Sequence, residues 1–217
     1  MADYPICLNN LHGALCIVVG GGNVAERKVR SLLEAGATVR VISPELTHTL
    51  QAWAEQGRIQ HVRREYRRGD LAGALLTFAA TDDHKTNQAV SEDAAARRCL
   101  VNVVDDPSLG NFTVPAVVRR GRLTVSISTD GQSPALAAHL RQRIEQVIGP
   151  EYAQLLDILG EMRDEVISAC PPHQRRDLWK RLIEPDILDL LRRGMIREAR
   201  DRAHELLNMY ATADKEG

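Results

Sequence analysis

Residues 16–28 read CIVVGGGNVAERK, an apolar run that turns through three glycines into a charged segment. The run begins at Ala14, and ALCIVV is continuously apolar where a half-buried strand would alternate. That pattern predicts a strand covered on both faces, as in a parallel sheet sandwiched between helices. A helix is expected from about Val24 to Ala35, with Ala25, Val29, Leu32 and Leu33 on its inner stripe and Gly36 closing it. A buried strand, a glycine turn and an amphipathic helix in that order commit the front of the chain to an α/β layer.

The pattern continues downstream. TVRVIS (38–43) reads as a strand, ELTHTLQAWAEQG as a helix and IQHVRRE as a short strand. ALLTFAAT (74–81) is a second continuous apolar run, followed by the helix DHKTNQAVSEDAAARR and the strand CLVNVVD (99–105). Strand and helix alternating throughout predict a Rossmann-like, doubly wound parallel sheet with right-handed crossovers over residues 1–112. The grammar then changes. FTVPAVVRRGRLTVSIST holds two β-prone runs around RRG, an antiparallel excursion. Ser133 and Pro134 suit the N-cap and first position of a helix whose apolar face carries Leu136, Leu140 and Ile144. Residues 113–149 thus form a small α+β element. Residues 150–217 read as an all-helical C-terminal domain, broken at Pro171-Pro172, Pro185 and Gly194.

The glycine turn matches G-x-G-x-x-A at Gly20, Gly22 and Ala25. Gly20 permits the tight turn, Gly22 lets a pyrophosphate approach the backbone, and Ala25 lets the helix pack close to the sheet. Unpaired N–H groups and the positive dipole end at the helix start favour phosphate. The reading is a dinucleotide site, with a purely structural turn or another nucleotide-like ligand as alternatives. The second strand ends in VISPEL, so Ser43 holds the tip where an acidic ribose ligand is usual, and Glu45 lies two residues on. No arginine follows that strand to meet a 2′-phosphate, which leans toward NAD over NADP.

In such a sheet the ligand sits outside the carboxyl ends of the strands. Two further ends are AATDD (79–83) and NVVDD (102–106). Thr81 and Asp82 could touch the cofactor; Asp82 or Asp83 could instead cap the next helix. For Asp105 and Asp106, Pro107 follows and no immediate helix start claims them. Adjacent carboxylates on extended chain point opposite ways, so one of the two would face the cleft. Asp105 could serve there as a general base, or simply form the turn.

Composition excludes several classes. The 217 residues are 44% apolar and 26% charged with a net charge of −1, an ordinary globular balance with no global case for nucleic acid or a membrane surface. RREYRR (63–68) and RQR (141–143) read as solvated faces. No stretch approaches the ~20 apolar residues of a membrane span. MADYPICLNN lacks the basic and apolar regions of a signal peptide. Cys7, Cys16, Cys99 and Cys170 are scattered, as buried thiols of a cytoplasmic protein would be. No tyrosine precedes a lysine by four, no H-E-x-x-H occurs, and the seven histidines are dispersed, so no metal site is expected.

VVGGGNVAERKVRSLLEAGA, AATDDHKTNQAVS, NVVDDPSLGNFTVPAVV and SISTDGQSPALAAHLR, in that order and spacing, resemble the precorrin-2 dehydrogenase family, the stand-alone form of the N-terminal module of siroheme synthase. The likeness is strong over residues 3–150 and loose in the helical tail. It implies NAD-dependent oxidation of precorrin-2 to sirohydrochlorin, with ferrous iron inserted afterwards in many members. It places cofactor contacts on Gly22, Asn23, Val24, Pro44 and Glu45 and a catalytic aspartate on Asp105, which would serve both steps. Iron would be a transient Fe2+ delivered to the macrocycle. Arg119, Arg120, Arg122, Arg141 and Arg143 become candidates for the tetrapyrrole's carboxylates, with a solvated turn and helix face as the alternative. A seryl hydroxyl phosphorylated in some relatives maps to Thr129. The region of the middle element intertwines two subunits in this family, which implies a homodimer. Two rivals remain: a non-catalytic NAD(H) sensor relaying through its helical tail, and a methyltransferase using the glycines for S-adenosylmethionine.

Overall fold

Leu15–Val19 forms strand β1, followed by α1 (Asn23–Glu34), β2 (Thr38–Ile42), α2 (His48–Glu55), β3 (Gln60–Val62), β4 (Leu76–Ala79), α3 (His84–Arg97) and β5 (Leu100–Val103). The computed structural model describes residues 4–212. The chain divides into two units between Val114 and Pro115.

In the first unit all five strands are parallel, in the order β3-β2-β1-β4-β5. The continuous apolar run of β1 follows from its central place. Cys16 and Val18 pack with Val29 of α1 and with Leu50 and Trp53 of α2. Ile17 and Val19, one residue out of phase, pack on the other face with Val90 and Ala94 of α3. Successive strand side chains alternate between faces, so a strand with helices on both sides buries its side chains on both. Three of the four expected buried thiols are buried, and desolvation pushes the Cys16 thiol up to about 11. Cys7 is exposed instead, lying in the irregular stretch ahead of β1.

The alternation expected throughout breaks once. Between β3 and β4 the chain crosses by turns and irregular backbone, without a helix. RREYRRGD supplies no apolar stripe for one, and its side chains tie the crossover down rather than merely facing solvent. Arg64 grips Asp70 through two bonds of 2.7 Å, and Arg68 pairs with Glu92 on α3. The buried carboxylate of Asp93, also on α3, accepts from the Tyr66 hydroxyl at 2.7 Å, the Gly69 amide at 2.9 Å and the Arg97 guanidinium at 2.8 Å.

In the second unit, β6 (Ala116–Arg120) and β7 (Leu123–Ile127) form the expected antiparallel hairpin around Gly121-Arg122. Helix α4 (Pro134–Val147) starts on Ser133, whose hydroxyl accepts from the Leu136 amide. Five helices follow: α5 (Glu151–Glu161), α6 (Arg163–Ala169), α7 (Pro172–Leu182), α8 (Pro185–Arg192) and α9 (Ile196–Thr212). The prolines open α7 and α8, and Gly194, at φ +76°, separates α8 from α9. YAQLLDILGEMRDEVI, read as one segment, is two helices meeting at buried Met162, which joins Leu155, Ile158, Leu178, Leu182 and Leu206 in a separate core. Among the described residues no helix is long and apolar enough to cross a membrane.

Asp93 generates a prediction. Burial raises its pKa, but the bonds from Gly69, Tyr66 and Arg97 outweigh burial and hold the carboxyl below its ordinary range. A depressed folded pKa contributes stability that is complete above the unfolded value, about 3.9. It is lost as pH falls through the folded value. Asp93→Asn should therefore cost about 2 kcal/mol at pH 7. In urea unfolding the gap between variant and wild type should narrow as pH drops below 4; a gap independent of pH would contradict this account.

Candidate active site

The turn after β1 is wedged between two neighbouring strand ends. Gly20 sits at φ +116° and donates its N–H to Ile42 O at 2.9 Å. A Cβ there would lie 2.2 Å from Ala80 O, and one on Gly21 would lie 1.9 Å from Glu45 O. Close backbone contact thus makes glycine obligatory at both positions. Gly22 differs. It is the N-cap of α1, in extended backbone with no side-chain cap, and a Cβ there would meet nothing within 4 Å. The first-turn carboxylate of α1 is turned aside: Glu26 accepts from the Thr47 hydroxyl at 2.7 Å and from Arg30 at 3.0 Å. The Thr47 bond, helped by Arg30, holds Glu26 below the usual carboxylate range against its desolvation. No side chain caps the amides at the helix start, which leaves them open to a phosphate.

These strand ends enclose a cleft of about 790 Å³. It opens where the strand order reverses between β1 and β4, the switch point at which doubly wound sheets bind ligands. Gly20, Gly22, Asn23, Val24, Ser43, Pro44, Glu45 and Thr81, the residues expected around the cofactor, all line it. Glu65 and Tyr66, which sequence reasoning did not assign to the site, line it too.

At the tip of β4 the two acidic residues separate. Asp83 caps α3, accepting from the Lys85 and Thr86 amides and, at 2.6 Å, from the Thr86 hydroxyl. The Thr86 bond chiefly holds its carboxyl low. Asp82 makes no such cap and lines the cleft, exposed.

Beyond β5 the expectation for the second pair needs correction. Asp106 does serve a helix start, capping the 3-10 turn Pro107–Leu109 by accepting from the Ser108 amide at 3.0 Å and hydroxyl at 2.6 Å. Those bonds hold it below the ordinary range. Asp105 is left for other work. It is exposed; its Oδ1 accepts from Asn87 Nδ2 at 2.9 Å, and its Oδ2 has no hydrogen-bond partner among the described residues. Asp105 does not line the 790 Å³ cleft but stands one strand over, joined to its wall through Asn87 and Thr81.

Asn87 is the residue the sequence reading missed. It is fully buried on α3. A signal existed: Asn87, Val90 and Ala94 lie at helical spacing on the stripe facing the sheet, so an amide there demands internal partners.

In the second unit, Arg120 donates to Ile148 O and Glu145 O and so caps α4, and Arg141 pairs with Glu145 at 2.6 Å. The Thr129 hydroxyl bonds both the amide and the carbonyl of Ser133. Arg122 and Arg143 are exposed. Among the described residues no three His, Cys, Asp or Glu side chains gather as a metal site would need.

Residues 7–116 match the family model described as "Putative NAD(P)-binding", residues 120–146 "Sirohaem biosynthesis protein central", and residues 151–207 "Sirohaem synthase dimerisation region". The chain belongs to this NAD(P)-binding, sirohaem-synthase family. The siroheme synthase of Methylobacillus flagellatus is 42% identical over 209 residues, covering 96% of this chain and 44% of the relative. That of Pseudomonas paraeruginosa is 39% identical over 206 residues, covering 94% and 44%. The chain thus spans less than half the length of the curated relatives it matches. Among solved structures, "SirC, precorrin-2 dehydrogenase" aligns with a TM-score of 0.78 and 27% identity over 94% of this chain and 100% of that one. The Rossmann-like sheet followed by a hairpin and a helical array is the fold of that protein.

The neighbouring glycines should respond differently to one methyl group. Gly21→Ala drives a Cβ into Glu45 O and should cost about 2–3 kcal/mol, whereas Gly22→Ala should stay within about 0.5 kcal/mol of wild type. Thermal unfolding of both variants checks this, and equal losses would show that the wedge is absent.

Proposed function

We propose that this chain catalyses NAD-dependent oxidation of precorrin-2 to sirohydrochlorin in siroheme synthesis, and that the same site then serves ferrous iron insertion. The observation that carries the reading is the likeness to a precorrin-2 dehydrogenase over that protein's whole length, in a chain with a cleft at the switch point of the sheet and, at the next strand end, a carboxylate oxygen without a hydrogen-bond partner among the described residues.

The residues present fit the cofactor. Open space at Gly22 admits the pyrophosphate, and the uncapped start of α1 at Asn23 and Val24 offers its amides. Gly20 shapes the turn. Ser43, Pro44 and Glu45 border the adenosine end at the tip of β2, and Thr81 lies on the opposite wall at the tip of β4. When bound, NAD+ supplies the acceptor for the hydride that leaves the reduced tetrapyrrole. The accompanying proton passes to Asp105 Oδ2, which has no hydrogen-bond partner among the described residues. Iron insertion also requires a base, because pyrrole protons must leave as Fe2+ enters, and Asp105 is the base we assign to both steps. Fe2+ is substrate here. We further propose that the protein works as a cytoplasmic homodimer built on residues 113–149 and the helices that follow.

An anaerobic mixture of protein, precorrin-2 and NAD+ should generate NADH and a sirohydrochlorin spectrum. Adding Fe2+ afterwards should produce a further shift faster than in a protein-free control. If NAD+ binds but precorrin-2 persists, a dinucleotide sensor replaces the enzyme; binding of S-adenosylmethionine in place of NAD+ would indicate a methyltransferase. Asp105→Asn should lower kcat by about 10²- to 10⁴-fold with the Kd for NAD+ changed less than about threefold. An unaltered kcat would remove Asp105 from the chemistry.

A further inference from the structure

Asn87 occupies the first turn of α3 and is 0% exposed. Each of its amide hydrogens has a separate acceptor: Nδ2 donates to Thr81 O and to Asp105 Oδ1, both at 2.9 Å. Its Oδ1 accepts from the Thr81 hydroxyl at 2.8 Å and from the Thr81 amide at 3.4 Å. The orientation is locked, since turning the amide over would set its oxygen against two acceptors. Thr81 lines the dinucleotide cleft. One buried amide therefore ties a wall of that cleft at the end of β4 to the carboxylate beyond β5, across adjacent paired strands.

An exposed aspartate on irregular chain would otherwise sample several rotamers, and a base must be held in place to gain the rate that orientation offers. We infer that Asn87 is a positioning residue: it holds Asp105 Oδ1, turns Oδ2 outward as the proton acceptor, and through Thr81 registers that oxygen against the dinucleotide cleft. This role rests on the dehydrogenase reading above.

Two substitutions separate its halves. Asn87→Leu removes every bond, freeing both Thr81 and Asp105. Asn87→Asp keeps an oxygen for the Thr81 hydroxyl and amide, removes the donations to Thr81 O and Asp105, and sets a second carboxylate against Asp105. Both variants are measured for thermal unfolding, for NAD+ affinity by calorimetry on the ligand-free protein, and for kcat and KM with precorrin-2. Asn87→Asp should lower kcat by about 30-fold while NAD+ affinity changes less than threefold; Asn87→Leu should weaken NAD+ binding as well. In an Asp105→Asn background, where no base remains to be positioned, neither change should lower the residual single-turnover rate more than about threefold.

A purely structural residue would instead reduce the rate equally in both backgrounds, and that result overturns the inference while leaving the dehydrogenase reading intact. So would a kcat loss in Asn87→Asp that merely tracks weakened NAD+ binding. If wild type consumes no precorrin-2, the dehydrogenase reading falls and takes this role with it; if Asp105→Asn is fully active, the dehydrogenase reading stands and this role alone falls. Should Asn87→Leu fail to fold, the comparison rests on Asn87→Asp, which conserves the side chain's shape.

Discussion

The approach of the β1–α1 turn to its neighbours is the constraint on which the rest of the first unit depends. With Gly20 against Ala80 O and Gly21 against Glu45 O, the tips of β1, β2 and β4 are held closer than any side chain permits. The same contacts place the start of α1 over the switch point of the sheet, and Gly22 leaves open space there. Thr47 reinforces the arrangement: its amide donates to Gly21 O, its hydroxyl donates to Glu26, and that oxygen also caps α2 by accepting from the Leu50 amide. The cleft is thus a consequence of backbone packing, with a phosphate-favouring helix end at its centre.

Helix α3 carries a second layer of organisation. It presents an apolar stripe to the sheet, yet two polar residues sit buried on it, Asn87 and Asp93. Buried polar groups cost free energy unless their bonds are made, and both are fully engaged. Asp93 secures the crossover between β3 and β4 in place of a helix. Asn87 joins the tips of β4 and β5. The helix that covers the sheet thereby also holds the two irregular segments nearest the site.

Much of this was legible in the chain alone, for definite reasons. Strands β1 and β4 are marked by predominantly apolar runs because both their faces are covered. The breaks at Pro172, Pro185 and Gly194 follow from backbone chemistry that admits few alternatives. The glycine turn was recognisable because its motif couples a steric requirement to an electrostatic one. The helix-free crossover at residues 63–75 was harder to see, since its stability comes from Asp93, some twenty residues away in sequence. The division of labour between Asp105 and Asp106 was equally hidden, because it turns on two local bonds from Ser108 and one distant bond from Asn87.

The amino-acid sequence by itself determined the fold class and the place of the glycine turn. These depend on periodicity and on the steric limits of single residues, which are local properties. Only the tertiary structure decided which of Asp105 and Asp106 caps a turn and which is held by Asn87, which arginines are spent on helix ends and ion pairs, and that a buried amide links the two strand tips. Hydrogen-bond partners are assigned by proximity in space, and a chain brought to a sheet edge from three different elements carries no local mark of who its neighbours will be.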